Sequence, residues 1–163
     1  ENLVNSGKWK SALEPLQRCL IEYPDHPVSY DARLLAAKAN RELNNLDQAI
    51  NLLEENLWGS HMLQPSNLAW RDSLFELGQI IFRQGEMLIL DVRLKPNADW
   101  TESKAKLMQS HERFGKAIER LGEAFSRWSI EDDPRHYETR FLFAKSHRLA
   151  AEMPEQIVDS NPN

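Results

Sequence analysis

Apolar residues along this chain recur at three- and four-residue steps, the period of an α-helix, and β-branched residues are sparse, which disfavours strands. A first helix is predicted from about Trp9 to Tyr23, with Trp9, Leu13, Leu16 and Leu20 on its apolar face and Pro24 and Pro27 beyond its end. Pro15 lies inside it, where the missing N–H and the ring clash cost about 3 kcal/mol, so a kink or a later helix start is expected. A second helix, about Val28 to Leu43, leads through Asn44-Asn45 into a third, Asp47 to Trp58, and Gly59 to Pro65 reads as a loop.

From Asn67 the series Trp70, Leu74, Leu77, Ile81, Leu88, Val92 keeps the helical step, with one gap of seven, and continues past Gly85. One long helix to about Leu94 is predicted, although glycine in a helix interior costs about 1 kcal/mol. Lys95 to Asp99 is the turn, and Thr101 to Trp128 reads as a second long helix. Helices of about 28 residues span roughly 42 Å, so this central hairpin should overhang shorter neighbours. The last helix is predicted from about Arg135 to Ala151, with residues 152–163 a frayed polar tail. The fold class is all-α.

Two stretches repeat one another. Residues 25–42 read DHPVSYDARLLAAKANRE and residues 132–149 read DDPRHYETRFLFAKSHRL, identical at eight of 18 positions. About one identity is expected by chance, so an internal duplication is the simplest account. The helices before them agree too, Ala12-Leu13-Glu14-Pro15-Leu16 with Ala117-Ile118-Glu119-Arg120-Leu121. A spacing of small, large and small residues joins three helices: Ala12, Leu16 and Cys19; Ala49, Leu53 and Asn56; Ala117, Leu121 and Ala124. Small residues at this spacing let neighbouring backbones approach closely, and such a helix buries its stripe only against another helix.

With Pro24 added, Ala12, Leu16 and Cys19 resemble the second helix of the tetratricopeptide repeat, a helix–turn–helix unit of about 34 residues. Leu77-Gly78 with Ile81 is similar to the first-helix signature, and Ala37 and Ala144 are small enough for its glycine place. The resemblance covers most of Gly7 to Ala151. It implies a right-handed α-solenoid of antiparallel helix pairs over residues 1–151, with one elongated central hairpin, 67–128, that departs from the family by its length. A plain helical bundle is the competing architecture. The chain opens on Glu1-Asn2-Leu3, within a repeat and without Met, so a segment of a longer protein with flanking repeats is expected.

The same resemblance implies a non-catalytic scaffold for protein–protein interaction, with first helices lining a concave groove that holds a peptide or protein segment. Carried over position by position, that face includes Asp31, Leu34, Lys38 and Arg41, then Asp72, Phe75, Gln79, Phe82 and Arg83, then Glu138, Phe141, Lys145 and Arg148. Lys38, Arg41, Gln79, Arg83, Lys145 and Arg148 are the partner-binding candidates. Lys38 and Arg41 stand three apart on one helix face and recur as Lys145 and Arg148, a pair suited to acidic side chains. The alternative is that these cations are solvated or paired with Asp31 or Glu138. Phe75, Phe82 and Phe141 read either as peptide contacts or as core, with core favoured. The family's carboxylate-gripping form uses asparagines that this chain lacks at those places, so that ligand is not inferred.

Composition narrows the field. A chain of 163 residues buries roughly 70% of its unfolded surface as one domain. Net charge is −5, and Lys104 to Arg148 holds ten Lys/Arg against seven Asp/Glu, too small an excess for a nucleic-acid footprint. No apolar run approaches the length of a bilayer span and no signal peptide opens the given residues, so a soluble segment without membrane insertion is expected. The single cysteine, Cys19, excludes an internal disulfide and sits at a small-residue place, where structural burial is expected rather than nucleophilic chemistry. The five histidines form no HExxH and no zinc spacing, and there is neither a phosphate-cradling glycine loop nor GxSxG, so no enzyme, cofactor or metal is expected. Glu131-Asp132-Asp133 read as a helix N-cap. Two further functions remain open: self-association through the hairpin 67–128, and a docking domain of a larger enzyme.

Overall fold

A computed structural model describes residues 2–60, 62–95, 99–127 and 134–159. Among them the chain forms α1 (Asn2–Asn5), α2 (Trp9–Glu22), α3 (Val28–Glu42), α4 (Leu46–Trp58), α5 (Leu68–Leu94), α6 (Trp100–Arg127) and α7 (Pro134–Asp159), with no strand. Each helix from α2 to α6 ends within about two residues of its predicted bounds, the usual uncertainty of helix ends. The chain divides into two compact units, Glu1–Ile80 and Ile81–Asn163, and the division falls inside α5.

In the first unit α3 contacts both α2 and α4. Its alanines allow this: Ala32, Ala36, Ala37 and Ala39 are all buried, Ala37 and Ala39 completely. Polar groups fix its two ends. The Pro24 carbonyl accepts hydrogen bonds from Ser29 Oγ (3.0 Å) and Arg33 Nη2 (3.3 Å), and His26 Nδ1 accepts the Val28 N–H at 3.2 Å. At the far end Asn44 turns the chain with φ 63°, a left-handed conformation that asparagine tolerates. The Asn45 N–H then returns to the Asn40 carbonyl at 2.8 Å. Helix α2 stays continuous through Pro15, which stands on its exposed side.

Asn56 ties α4 to two neighbours. It is completely buried, and its Nδ2 donates to the Tyr30 carbonyl (3.0 Å) and to Ser73 Oγ (3.2 Å). The residue that fits the small-large-small pattern least well is thus a polar clasp between helices, because a buried amide needs partners. Trp70 Nε1 donates to the Leu57 carbonyl at 3.3 Å, with the residue 4% exposed. Trp58, at the end of α4, is 45% exposed as its position suggests.

In the second unit Gly85 explains why α5 does not turn where a shorter hairpin would. A Cβ on Gly85 would lie 2.8 Å from Cε1 of Phe114, a fully buried ring on α6. Ser110 Oγ donates to the Gly85 carbonyl at 2.9 Å across the same contact. Glycine here serves close approach rather than chain reversal. Phe82 lies against Phe114 with centroids 5.6 Å apart, and Phe114, Ala117, Leu121 and Ala124 form a completely buried stripe. Further along, Lys106 Nζ meets Asp91 Oδ2 at 2.6 Å and also Glu102, while Lys95 Nζ meets Asp91 Oδ1 at 2.8 Å.

Helix α7 packs on α6 and departs from the predicted boundary at Ala151, running to Asp159. Met153 is completely buried, so an apolar contact holds a segment that its polar composition marks as tail, and His111 Nδ1 lies 3.1 Å from the Ala150 carbonyl just before it. Residues 160–163, the turn residues 96–98, the Glu131-Asp132-Asp133 cap, Trp128 and His61 lie outside the described residues.

Two outcomes test this packing. Gly85→Ala should destabilise the chain by about 1–2 kcal/mol in urea unfolding, because overpacking against Phe114 outweighs the roughly 1 kcal/mol gain in helix propensity. Hydrogen bonds from Lys106 and then Lys95 hold the Asp91 carboxyl below the usual carboxylate range. Its contribution to stability is therefore full above the unfolded-state value and fades as pH falls through the lower folded one. A carbon-13 titration of the Asp91 carboxyl should show that depressed midpoint, and Lys106→Met should move it back toward the ordinary range.

Candidate partner-binding residues

Three of the six candidates come together in the first unit. Lys38 and Arg41 lie on one face of α3, and the helical period of α5 places Glu76 and Gln79 one turn apart opposite them. Arg41 Nη1 donates to Glu76 Oε2 at 2.6 Å and to the Gln79 side-chain oxygen, and Lys38 Nζ lies 3.5 Å from Glu76 Oε1. The Glu76 side chain is 8% exposed, whereas those of Arg41 and Lys38 keep 23% and 33%. One buried carboxylate is thus held by two cations that still reach solvent. Arg41 also meets Glu42 Oε1 at 2.9 Å.

In the second unit Lys145 Nζ bonds Glu86 Oε1 at 2.8 Å and stands 5.0 Å from the centroid of the Phe82 ring. Desolvation on one side makes a cation over a ring worth about 0.5–2 kcal/mol. Arg148 does not join it. Its partner is Glu152 on its own helix at 3.7 Å, with the Arg148 side chain 65% exposed. Arg83 is exposed on α5.

Of the apolar positions assigned to the groove, Leu34 (7%), Phe75 (4%) and Phe82 (3%) are core, while Phe141 is 63% exposed. Glu76 and Glu86 are the carboxylates at the candidate positions that sequence reasoning passed over. Glu76 stands three before the candidate Gln79, and that spacing on a predicted helix was the available signal. Cys19 is half-buried rather than enclosed and lines a shallow depression of about 290 Å³ with Glu14, Pro15, Arg18, Glu22 and Tyr23.

Among the described residues no cluster of His, Cys, Asp or Glu is placed to hold a metal ion. No helix among them is long and apolar enough to cross a membrane. The chemistry on view is ion pairing, with Glu76 central to it. Glu76→Ala leaves two cations without their carboxylate and should cost about 2–3 kcal/mol, less than the 3–5 of a fully buried pair because both cations reach water. Glu76→Gln keeps an acceptor for Arg41 and should recover part of that loss in the same urea titration. Comparison with protein-family models, with curated proteins and with solved structures finds no match to this chain.

Proposed function

We propose that the chain is a non-catalytic scaffold for protein–protein interaction, a right-handed α-solenoid of antiparallel helix pairs of the tetratricopeptide kind, that holds an acidic protein segment through its repeated Lys-x-x-Arg helix face. The supporting observation is the grip on Glu76. Lys38 and Arg41, both from another helix, hold a carboxylate while the Gln79 side-chain oxygen accepts from Arg41, and gripping a carboxylate is the task an acidic ligand would set. The Lys-x-x-Arg spacing recurs on α7, where Arg148 is open to solvent. Exposed charge pairs contribute only about 0–1 kcal/mol each, so Arg83 and Arg148 supply a modest, salt-sensitive share of the affinity as well as steering.

The test is fluorescence anisotropy with two labelled helical peptides, one bearing glutamates on one face and the other glutamines at the same places. The glutamate peptide should bind more tightly, with a preference that shrinks as salt rises. In an Arg83→Glu, Arg148→Glu double variant of unchanged helicity, its affinity should fall about tenfold, or 1.4 kcal/mol. Equal affinity for the two peptides in the wild type sinks the acidic-ligand reading.

A further inference from the structure

We infer that a furrow in the first unit, floored by α3 and walled by α2 and α4, binds a carboxamide side chain, glutamine or asparagine, of a partner protein. Its volume is about 270 Å³, below the roughly 300–1,000 Å³ of pockets that take a drug-sized ligand, so one side chain fills it. Its polar lining is Gln17 from α2, Asn40 from α3, and Gln48 and Asn51 from α4. The rest is aliphatic, with Leu13 on one wall and Leu52 on the other. Among the described residues no charged side chain lines it, whereas Glu14, Arg18 and Glu22 line the depression beside Cys19.

The floor decides the chemistry of the ligand. Asn40 is 3% exposed, and both atoms of its amide are fixed: Nδ2 donates to the Ala36 carbonyl at 3.0 Å and Oδ1 accepts from Asn45 Nδ2 at 3.3 Å. An amide has two N–H donors and two oxygen lone pairs, so one donor and one acceptor position of Asn40 remain unused. A ligand carboxamide presents the complementary acceptor and donor on one flat group, and the exposed amides of Gln17, Gln48 and Asn51 supply the same chemistry at the rim. A carboxylate brings no donor and meets no cation here, so its lost hydration is not replaced. A leucine side chain suits the aliphatic walls but strips water from the remaining donor and acceptor of Asn40.

The duplication supplies an independent measure of the space. Ala36 and Asn40 correspond to Phe143 and His147 on α7, and Gln17 corresponds to Gly122 on α6. In that copy the Phe143 and His147 rings meet edge to face with centroids 4.6 Å apart. A Cβ on Gly122 would lie 3.0 Å from Cε2 of Phe143, so the glycine makes room for the ring. One copy therefore fills this place with an aromatic side chain of its own. The other sets alanine under it and amides around it, and leaves an opening of one side chain's size.

The experiment titrates a doubly capped Gly-Gln-Gly peptide into the full chain, labelled with nitrogen-15, and follows the side-chain amide signals of Gln17, Asn40, Gln48 and Asn51. These signals should shift saturably. Capped Gly-Glu-Gly and Gly-Leu-Gly should bind about tenfold more weakly, because a site built to hydrogen-bond a group rejects analogues that lack it. Free glutamine, whose ammonium and carboxylate find no countercharge in the furrow, should also bind more weakly than the capped peptide. A Gln48→Leu, Asn51→Leu double variant, changed only at exposed positions, should keep its helicity and lose about tenfold in affinity. Gln17→Gly with Ala36→Phe, which installs the pair found in the other copy, should abolish the shifts. No saturable shift in the wild type overturns the inference, as does equal affinity for either comparison peptide or unchanged affinity in the Gln48→Leu, Asn51→Leu variant. Free glutamine that binds as tightly as the capped peptide overturns the assignment to a protein partner. The Arg83→Glu, Arg148→Glu variant should bind the glutamine peptide as the wild type does, so failure of the acidic-ligand reading leaves this site standing; a loss of binding there overturns the placement in the furrow.

Discussion

The structure depends on how closely its helix backbones approach, and small side chains set that distance. Ala37, Ala49, Ala117 and Ala124 are all completely buried, and each stands where a larger side chain would hold two helices apart. Gly85 carries the constraint furthest, since it gives up roughly 1 kcal/mol of helix propensity to let a phenylalanine ring lie on the backbone. Once helices are this near, their polar groups must find partners across the contact, because water is excluded. The Asn56 amide, the Ser110 hydroxyl and the Trp70 indole all bond backbone carbonyls of neighbouring helices.

The basic pairs show how position overrides residue type. Lys38 and Arg41 share one buried carboxylate, while Lys145 takes Glu86 and Arg148 stays near an exposed glutamate on its own helix. The spacing is identical in the two copies, so the helix sets which cations share a face and the neighbouring helix decides what they meet. A cation with a buried carboxylate beside it is pre-oriented, and one in solvent is free to follow a ligand. Binding surfaces commonly use both, a rigid anchor and an adaptable rim.

The fold class and most helix bounds were legible because apolar period and proline placement are local properties. The long α5 was legible too, since its apolar series continued past Gly85. Its reason was not, because the Phe114 ring that needs the space lies on another helix. The extension of α7 past Ala151 was hidden for the same kind of cause: residues 152–159 look polar in sequence, and only Met153 turning inward reveals the contact that orders them. At the candidate site, Lys38, Arg41 and Gln79 came from the family resemblance, with spacing pairing the two cations, and the carboxylates that complete the clusters were missed. Spacing ranks residues within a helix but is silent about which residue of the next helix stands opposite.

Ala144 carries the last step. An exposed alanine on a helix needs no explanation by itself, and Ala144 would pass unnoticed without Ala37. The duplication makes it informative, since the same residue at the same place is completely buried in one copy and open in the other. Alanine at Ala37 is required because α3 is covered on that side. At Ala144 nothing within the described residues imposes that requirement, and lysine or glutamate would serve a solvated helix equally well.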